Sequence, residues 1–560
     1  SWQQIAFSRF CNQIPNRLVP VTLGPLMQAA ALSRSLAQIS KSKTNHFYSP
    51  SKANFLALAA LVESSSKPIA IITSSSRQSQ EIAGALAQLV DQIEVIDFPS
   101  WETLPHERLS PSAETVGKRL QALHRMNQFS SINPKHKVVV MVSIRAALQP
   151  VIGGLEDHPP FEMTKGKDYL LPELALKLIE IAYERVDMVT RRGEFAIRGG
   201  ILDVFPTTAE HAVRLEFFGD ELEDIREFQV ADQRSIATSL SVIELYPARE
   251  MLITPAVASR AREMASEFPG LSEMLTKISE GIPAAGMESL APVLAKKLGP
   301  LTQYLPTATF VLLDPELIGS RAKALADTNE EFLHAAWDTA IAGGSAPIDL
   351  SSGGFLELTE LLDAIRKTNR LVEINSLPQD HFIDLGLREI PTFQAGGAAT
   401  DWIIDQLAQS QKIVITAKGH GTAERIVEVL SALSIPVSLS EIVREPASGS
   451  VMVVVADLPH GFFVADQNLI VLTEAEFFGV ASSYQSPNSR KLAKRRGPQV
   501  DPLTLKQGDY VVHEIHGIGR FKELVQRDNR SQVREYLVIE YASPKRGYPQ
   551  DTLFVPTDQL

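Results

Sequence analysis

Residues 53–98 read ANFLALAALVESSSKPIAIITSSSRQSQEIAGALAQLVDQIEVIDF, and this stretch decides the fold. Residues 53–63 space their apolar side chains as a helix does. Residues 67–73 (KPIAIIT) form a short apolar run closed by a serine cluster. Helical spacing returns over 79–89, and 93–98 is again a strand. Short strands alternating with helices of this length predict a parallel sheet with helices on its faces. Residues 138–143 (VVVMVS) add a third buried strand, so a first α/β lobe is expected over 1–148.

Outward from that lobe the texture changes. Mixed alternation over 195–205 and 212–218, then Gly219-Asp220 and a further run over 221–230, signals hairpins. An inserted α+β domain is expected over 149–250. Helices and the strand TFVLL at 309–313 mark a return to the lobe over 251–345. A Gly/Ser/Pro-rich stretch near 346 opens a further α/β domain over 346–480, with strands at 412–416, 451–456 and 468–472. Residues 481–503 read as an exposed linker with the basic run RKLAKRR at 490–496. Residues 504–560 are β-rich and glycine-punctuated, like a small barrel. The fold class is therefore α/β multidomain.

Composition narrows the function. The 560 residues are 44% hydrophobic and 21% charged, as in ordinary globular protein. The single cysteine, Cys11, allows neither a disulfide framework nor a cysteine zinc site, which suits a reducing cytoplasm. No apolar run approaches the ~20 residues a bilayer demands. A formal charge of −12 argues against a chain that grips duplex DNA along its length and favours protein partners. The chain starts at Ser1 and stops at Leu560 inside an expected strand, so a fragment of something longer is expected. His513 and His516 are spaced like a metal pair, but no cysteine is near and Glu514 would point to the opposite face of a strand, so they read as structural.

A phosphate-binding loop needs glycines to wrap the phosphates, a lysine to reach them, and a Ser or Thr hydroxyl for Mg²⁺. The stretch in the right place is Tyr48-Ser49-Pro50-Ser51-Lys52-Ala53. Lys52 is present, with Ser49 and Ser51 beside it. The glycines are missing, Pro50 removes a donor, and Ala53 has no oxygen for the metal. This loop is expected to be a relic, and the chain by itself is not expected to hydrolyse ATP.

Three stretches carry a resemblance. FPSWETLP at 98–105, with LSP at 109–111, resembles the amino-terminal module of bacterial transcription-repair coupling factors. RGEFAIRGGILDVFP at 192–206 is similar to the segment those factors share with the excision-repair helicase UvrB. GDYVVH at 508–513 with HGIGRF at 516–521 resembles the family's RNA-polymerase-interacting domain, and GME at 286–288 and LTE at 472–474 also fit. UvrB is the near rival. It has a working phosphate loop and a tyrosine-rich hairpin, where this chain has a degraded loop and one Trp, and UvrB has no counterpart of 508–560.

The resemblance implies UvrB-like parallel-sheet lobes, an insert that docks UvrA, and a barrel that docks the β subunit of RNA polymerase. Carried over by spacing, Arg185 and Arg198 match arginines of the UvrA contact, with Arg191 and Arg192 alongside; Ala196 stands where UvrB usually has a third arginine. For the polymerase, the strand at 535–538 with Tyr536, Leu537 and Val538 is taken as an exposed edge, with Arg520 nearby. The family's ATP, Mg²⁺ and double-stranded DNA contacts belong mainly to a translocase motor beyond this chain, so no cofactor is expected here. The resemblance further implies that the UvrA surface is masked until the motor engages. An active UvrB-type helicase subunit, and a transcription regulator sharing only the polymerase-binding domain, remain as alternatives.

Overall fold

The computed structural model describes residues 23, 34–41, 45–128, 137–154, 159–231, 233–341, 346–350, 354–393, 397–440, 446–479, 507–513, 517–529, 532–541 and 551–556. Its first sheet has seven strands in the order Ile383–Asp384, His46–Tyr48, Arg370–Asn375, Thr309–Leu313, Ile69–Thr73, Lys137–Ser143 and Ile93–Phe98. Every pairing is parallel. Strand Ile69–Thr73 is buried along its whole length because helices cover both faces. Ile69 and Ile71 point to the helices Asn54–Ser64 and Ser76–Leu89, while Ala70 and Ile72 point to Ala113–Asn127 and Leu358–Thr368.

The sheet runs past the expected boundary at 345. Strand Arg370–Asn375 pairs with both Thr309–Leu313 and His46–Tyr48, so the first lobe closes only after Asp384. The Gly/Ser/Pro-rich stretch near 346 is thus a connection inside the lobe. A second α/β sheet starts at Leu387–Arg388 and continues through Phe462–Val464, Leu469–Thr473, Lys412–Ala417, Val451–Val455 and Val437–Ser440. One of its faces is covered by its own helices, including His420–Ala432; the other (Val414, Val454, Val464, Val471) packs on helix Asn54–Ser64. Phe55 and Phe462 meet edge-to-face there at 5.8 Å. That helix, NFLALAALVES, is apolar all round because it lies between two sheets.

The insert is a six-stranded sheet ordered Ser235–Ser239, Glu221–Phe228, Ala212–Phe218, Ile201–Val204, Glu194–Arg198 and Glu184–Arg185. Helix Leu171–Glu180 lies on one face. Gly199 turns the hairpin with φ +60, and a Cβ on Gly200 would sit 2.9 Å from the Phe217 carbonyl oxygen, so both positions require glycine. Helices Pro255–Met264 and Ser272–Ser279 form a small core of their own with 287–294 before the chain rejoins the first sheet.

The C-terminal segment forms a four-stranded antiparallel ladder in the order Tyr510–His513, Gly517–Asn529, Gln532–Tyr541, Asp551–Pro556. Among the described residues its two end strands do not pair, so the expected barrel is not confirmed there. Leu109 of the first lobe packs against its core of Phe521, Leu537, Ile539 and Leu553. Among the described residues no helix is long and apolar enough to cross a membrane.

Candidate functional site

The relic loop sits where a phosphate loop would, between the end of parallel strand His46–Tyr48 and helix Asn54–Ser64. Its groups are already engaged. Ser49 is fully buried, and its N–H donates to the Asn375 carbonyl at 3.1 Å. The Lys52 N–H and the Ser51 hydroxyl both reach Glu389 Oε1 at 3.4 Å. A carboxylate from the following domain thus faces the donors that a phosphate would need. Ala53 is buried and offers no oxygen. The adjoining cavity, bounded by Lys52, Gln78, Glu81 and His460, is ≈ 210 Å³, below the roughly 300 Å³ at which small-molecule pockets begin. These residues do not fit a nucleoside triphosphate with its metal. Among the described residues no three His, Cys, Asp or Glu side chains gather as metal ligands, and His516 lies outside the described residues.

The four arginines named from the insert occupy different settings. Arg185, on the edge strand, pairs in register with Phe195, which belongs to the helix-covered face. Arg198 projects from the opposite face of the neighbouring strand, and its Nε donates to the Asp187 carbonyl at 3.2 Å. Both are exposed at the same rim of the sheet, with Met188 (51% exposed) and Ile201 (36%) close in sequence. Arg191 is exposed in the preceding loop, whose backbone N–H groups at 190 and 191 donate to the Glu194 carboxylate. Arg192 is the exception. Its Nη1 lies 2.9 Å from Glu114 Oε2, its Nε donates to the Ala209 carbonyl, and its guanidinium stands over Phe205 at 5.1 Å. It fastens the insert to the first lobe.

Position 196 has a structural explanation that the sequence left open. Ala196 is buried, and its register neighbours across the sheet are Asp203 and then Arg214. Arg214 makes two bonds to Asp203, of 2.7 and 2.9 Å, and stacks over Phe228. Donating these bonds to the Asp203 carboxylate raises the Arg214 pKa further. The open face therefore does carry an arginine in the same cross-strand row, two strands away. Sequence spacing along one strand could not reveal it.

The C-terminal site requires a correction. Strand Gln532–Tyr541 is not an edge, since it pairs with Gly517–Asn529 on one side and Asp551–Pro556 on the other. Leu537 and Val538 are 2% exposed, and Leu537 lies in the sheet's core. Tyr536 pairs in register with Val525 and Pro556, and its side chain lies outside the described residues. Arg520 is exposed on the adjacent strand, in register with Tyr510. Among the described residues the edge strands of this sheet are Tyr510–His513 and Asp551–Pro556. The first carries exposed apolar surface, Tyr510 at 78%, with Ile518 at 68% on the next strand. Gly519 between them is obligatory, because a Cβ there would lie 2.3 Å from Ile539 Cγ2.

Loop 98–111 binds the ends of the insert to the lobe. Buried Arg119 pairs with buried Glu250, and the Trp101 indole N–H donates to Glu250 Oε1 at 2.9 Å. Arg249 Nη1 donates to Glu288 Oε1 at 2.7 Å, and the Ser110 hydroxyl donates to Oε2 of the same carboxylate at 2.7 Å. The Trp-containing loop and the GME stretch, quoted apart in the sequence, thus belong to one polar junction.

Comparison with known proteins follows the same division. Residues 161–251 match the UvrB interaction domain, 406–477 the MFD D3 domain, and 505–560 the CarD-like/TRCF RID domain. The chain is 39% identical over 538 residues to a transcription-repair-coupling factor of Mycobacterium bovis, with 91% of this chain and 43% of the relative covered. It is 26% identical to that of Bacillus subtilis over 529 residues and 25% identical to that of Escherichia coli over 517, each at 90% and 43% coverage. The chain therefore spans about 43% of the length of these curated relatives. With three domain matches in this order and similarity running through nearly all of it, the chain is similar to the amino-terminal part of transcription-repair-coupling factors.

Proposed function

We propose that this chain is the recruiting and regulatory half of a transcription-repair coupling factor, linking stalled RNA polymerase to UvrA-dependent excision repair in the cytoplasm. The observation that carries this reading is the pairing on one chain of a UvrB interaction domain with a polymerase-interacting domain type. The exposed rim of the insert, with Arg185 and Arg198, takes UvrA. Planar guanidinium groups there suit bidentate pairing with partner carboxylates. The C-terminal sheet takes the β subunit of the polymerase by strand addition, for which we assign the Tyr510–His513 edge. In the complete factor, ATP hydrolysis with Mg²⁺ and translocation on double-stranded DNA belong to a motor outside this chain. The relic loop, engaged by Glu389, supplies no part of that chemistry.

The test is binding of the chain to purified UvrA and to purified polymerase β subunit by biolayer interferometry. Arg198→Ala is expected to weaken UvrA about tenfold or more and leave β unchanged; Tyr510→Ala is expected to do the converse. Phosphate release from ATP should stay at background. Loss of both partners in either variant, or binding of neither partner by the unaltered chain, would refute the two-socket reading.

A further inference from the structure

Sixteen large apolar side chains are exposed among the described residues, and six of them lie on the insert between 170 and 218. Met188 and Ile201 adjoin the arginine rim. Leu170, at 47% exposed, and Phe218, at 81%, stand elsewhere and frame a groove of ≈ 600 Å³. One wall is the start of helix Leu171–Glu180, and the other is the tip of the hairpin joining Ala212–Phe218 to Glu221–Phe228. Leu174 forms part of the apolar lining. The rim is acidic: Asp168, Glu173, Asp220 and Glu221 line it, against the single ammonium of Lys177.

The walls are tied by backbone. The Tyr169 N–H donates to the Asp220 carbonyl at 2.7 Å, Leu222 N–H to the Lys167 carbonyl at 3.0 Å, and Gly166 N–H to the Leu222 carbonyl at 2.8 Å. A groove held in this way exists before its occupant arrives, so little ordering cost attends binding. It also lies on the helix side of the sheet, whereas Arg198 projects from the opposite face. One partner surface centred on Arg198 does not explain it.

We propose that this groove is a second docking surface of the insert, and that its occupant is a basic segment of a partner protein carrying one bulky apolar anchor. The apolar floor between Leu170, Leu174 and Phe218 takes the anchor. The four carboxylates take flanking lysines or arginines, and they repel nucleic acid and anionic membranes alike. Because Arg198 lies on the face opposite the groove, the insert can hold this partner and a ligand of Arg198 together.

The probe is a fluorescein-labelled synthetic peptide of lysines and arginines around one phenylalanine, titrated with the whole chain and followed by anisotropy. A control peptide carries glutamates in place of the basic residues. The basic peptide is expected to bind, more weakly as salt rises, and the acidic one not to bind. Phe218→Ala should weaken the basic peptide about thirtyfold. The double variant Glu173→Lys, Glu221→Lys should abolish its preference over the acidic peptide, and Arg198→Ala should change nothing. The exposure of Phe218, Glu173 and Glu221 keeps these changes away from the core. Equal binding of both peptides, or binding indifferent to Phe218→Ala, overturns the proposal. Self-association of the chain that Phe218→Ala abolishes, without peptide binding, overturns it too and gives the groove to a second copy.

Discussion

Arg119 has no exposed side-chain surface, and neither does Glu250, its partner. Removing two charges from water costs several kcal/mol each, which is recovered only when the geometry around them is well satisfied. Here the Arg119 guanidinium also donates to the Pro99 carbonyl at 2.8 Å and stands over the Phe98 ring at 4.3 Å, and Trp101 donates to Glu250, while Arg119 Nη2 and Glu250 Oε2 stay buried without a hydrogen bond, so the offset is only partial. The pair thus fixes loop 98–111 and the end of the insert against helix Ala113–Asn127. Glu250→Ala leaves Arg119 buried and uncompensated, and should destabilise the chain by about 3–5 kcal/mol. Replacing both partners by Met should cost much less, because no lone charge remains. Urea denaturation of the two variants checks this; equal losses would mean that lost packing, not the stranded charge, sets the cost.

Helix Asn54–Ser64 shows the same dependence on surroundings one level up. Leu58 is fully buried between the first sheet and the second. Leu58→Ala should cost about 2–5 kcal/mol, as a cavity in a core usually does. Because the helix belongs to both cores, hydrogen exchange should quicken in Ile69–Thr73 and in Leu469–Thr473 together; quickening in one sheet alone would show that the two domains open independently. The helix and its flanking strands were legible from apolar spacing, which is why the first lobe was read correctly in kind. Its extent was not, because RLVEIN at 370–375 joins a sheet whose neighbours lie more than fifty residues upstream or begin at His46, and local pattern carries no such address. Strand order was equally hidden in the C-terminal sheet. Yet one signal was present there: Tyr536-Leu537-Val538-Ile539 is a continuous apolar run, which fits a strand flanked on both sides better than a free edge. Arg192 was grouped with the rim arginines by adjacency, while its contact with Glu114, distant in sequence, decided its role.

At the scale of the whole molecule, burial lowers the pKa of three histidines, two of which, His124 and His460, stand at junctions between units. His106, inside the first lobe, contacts Asn329 of helix Pro315–Ile341 at 3.2 Å, with Asp349 nearby. His124 meets Tyr246 of the insert edge-on at 6.2 Å, among Glu244, Arg125 and Glu162. His460 lines the cavity beside the relic loop, facing Glu476, Lys52, Glu81 and Glu389. Desolvation is the largest cause in all three, so the folded chain holds them neutral at a pH where the unfolded chain would begin to protonate them. A histidine with a depressed folded pKa gives stability that is present above its unfolded value of about 6.5 and is lost as pH falls from there toward the folded value. Glu107 works in the opposite sense: burial raises its pKa, so the folded chain binds the proton more tightly and loses stability as pH rises above about 4.3. The histidine contribution is therefore best read as a difference. Unaltered chain and the triple variant His106→Gln, His124→Gln, His460→Gln should diverge most between about pH 6.5 and 5, the unaltered chain losing stability on acidification and the variant losing less. Urea midpoints across that range decide the matter, since parallel curves would mean that the three histidines take up no protons on unfolding. If the curves diverge, mild acid loosens the joints of the first lobe with the insert and with the second sheet while each sheet keeps its own core, because His124 and His460 lie where one unit meets another.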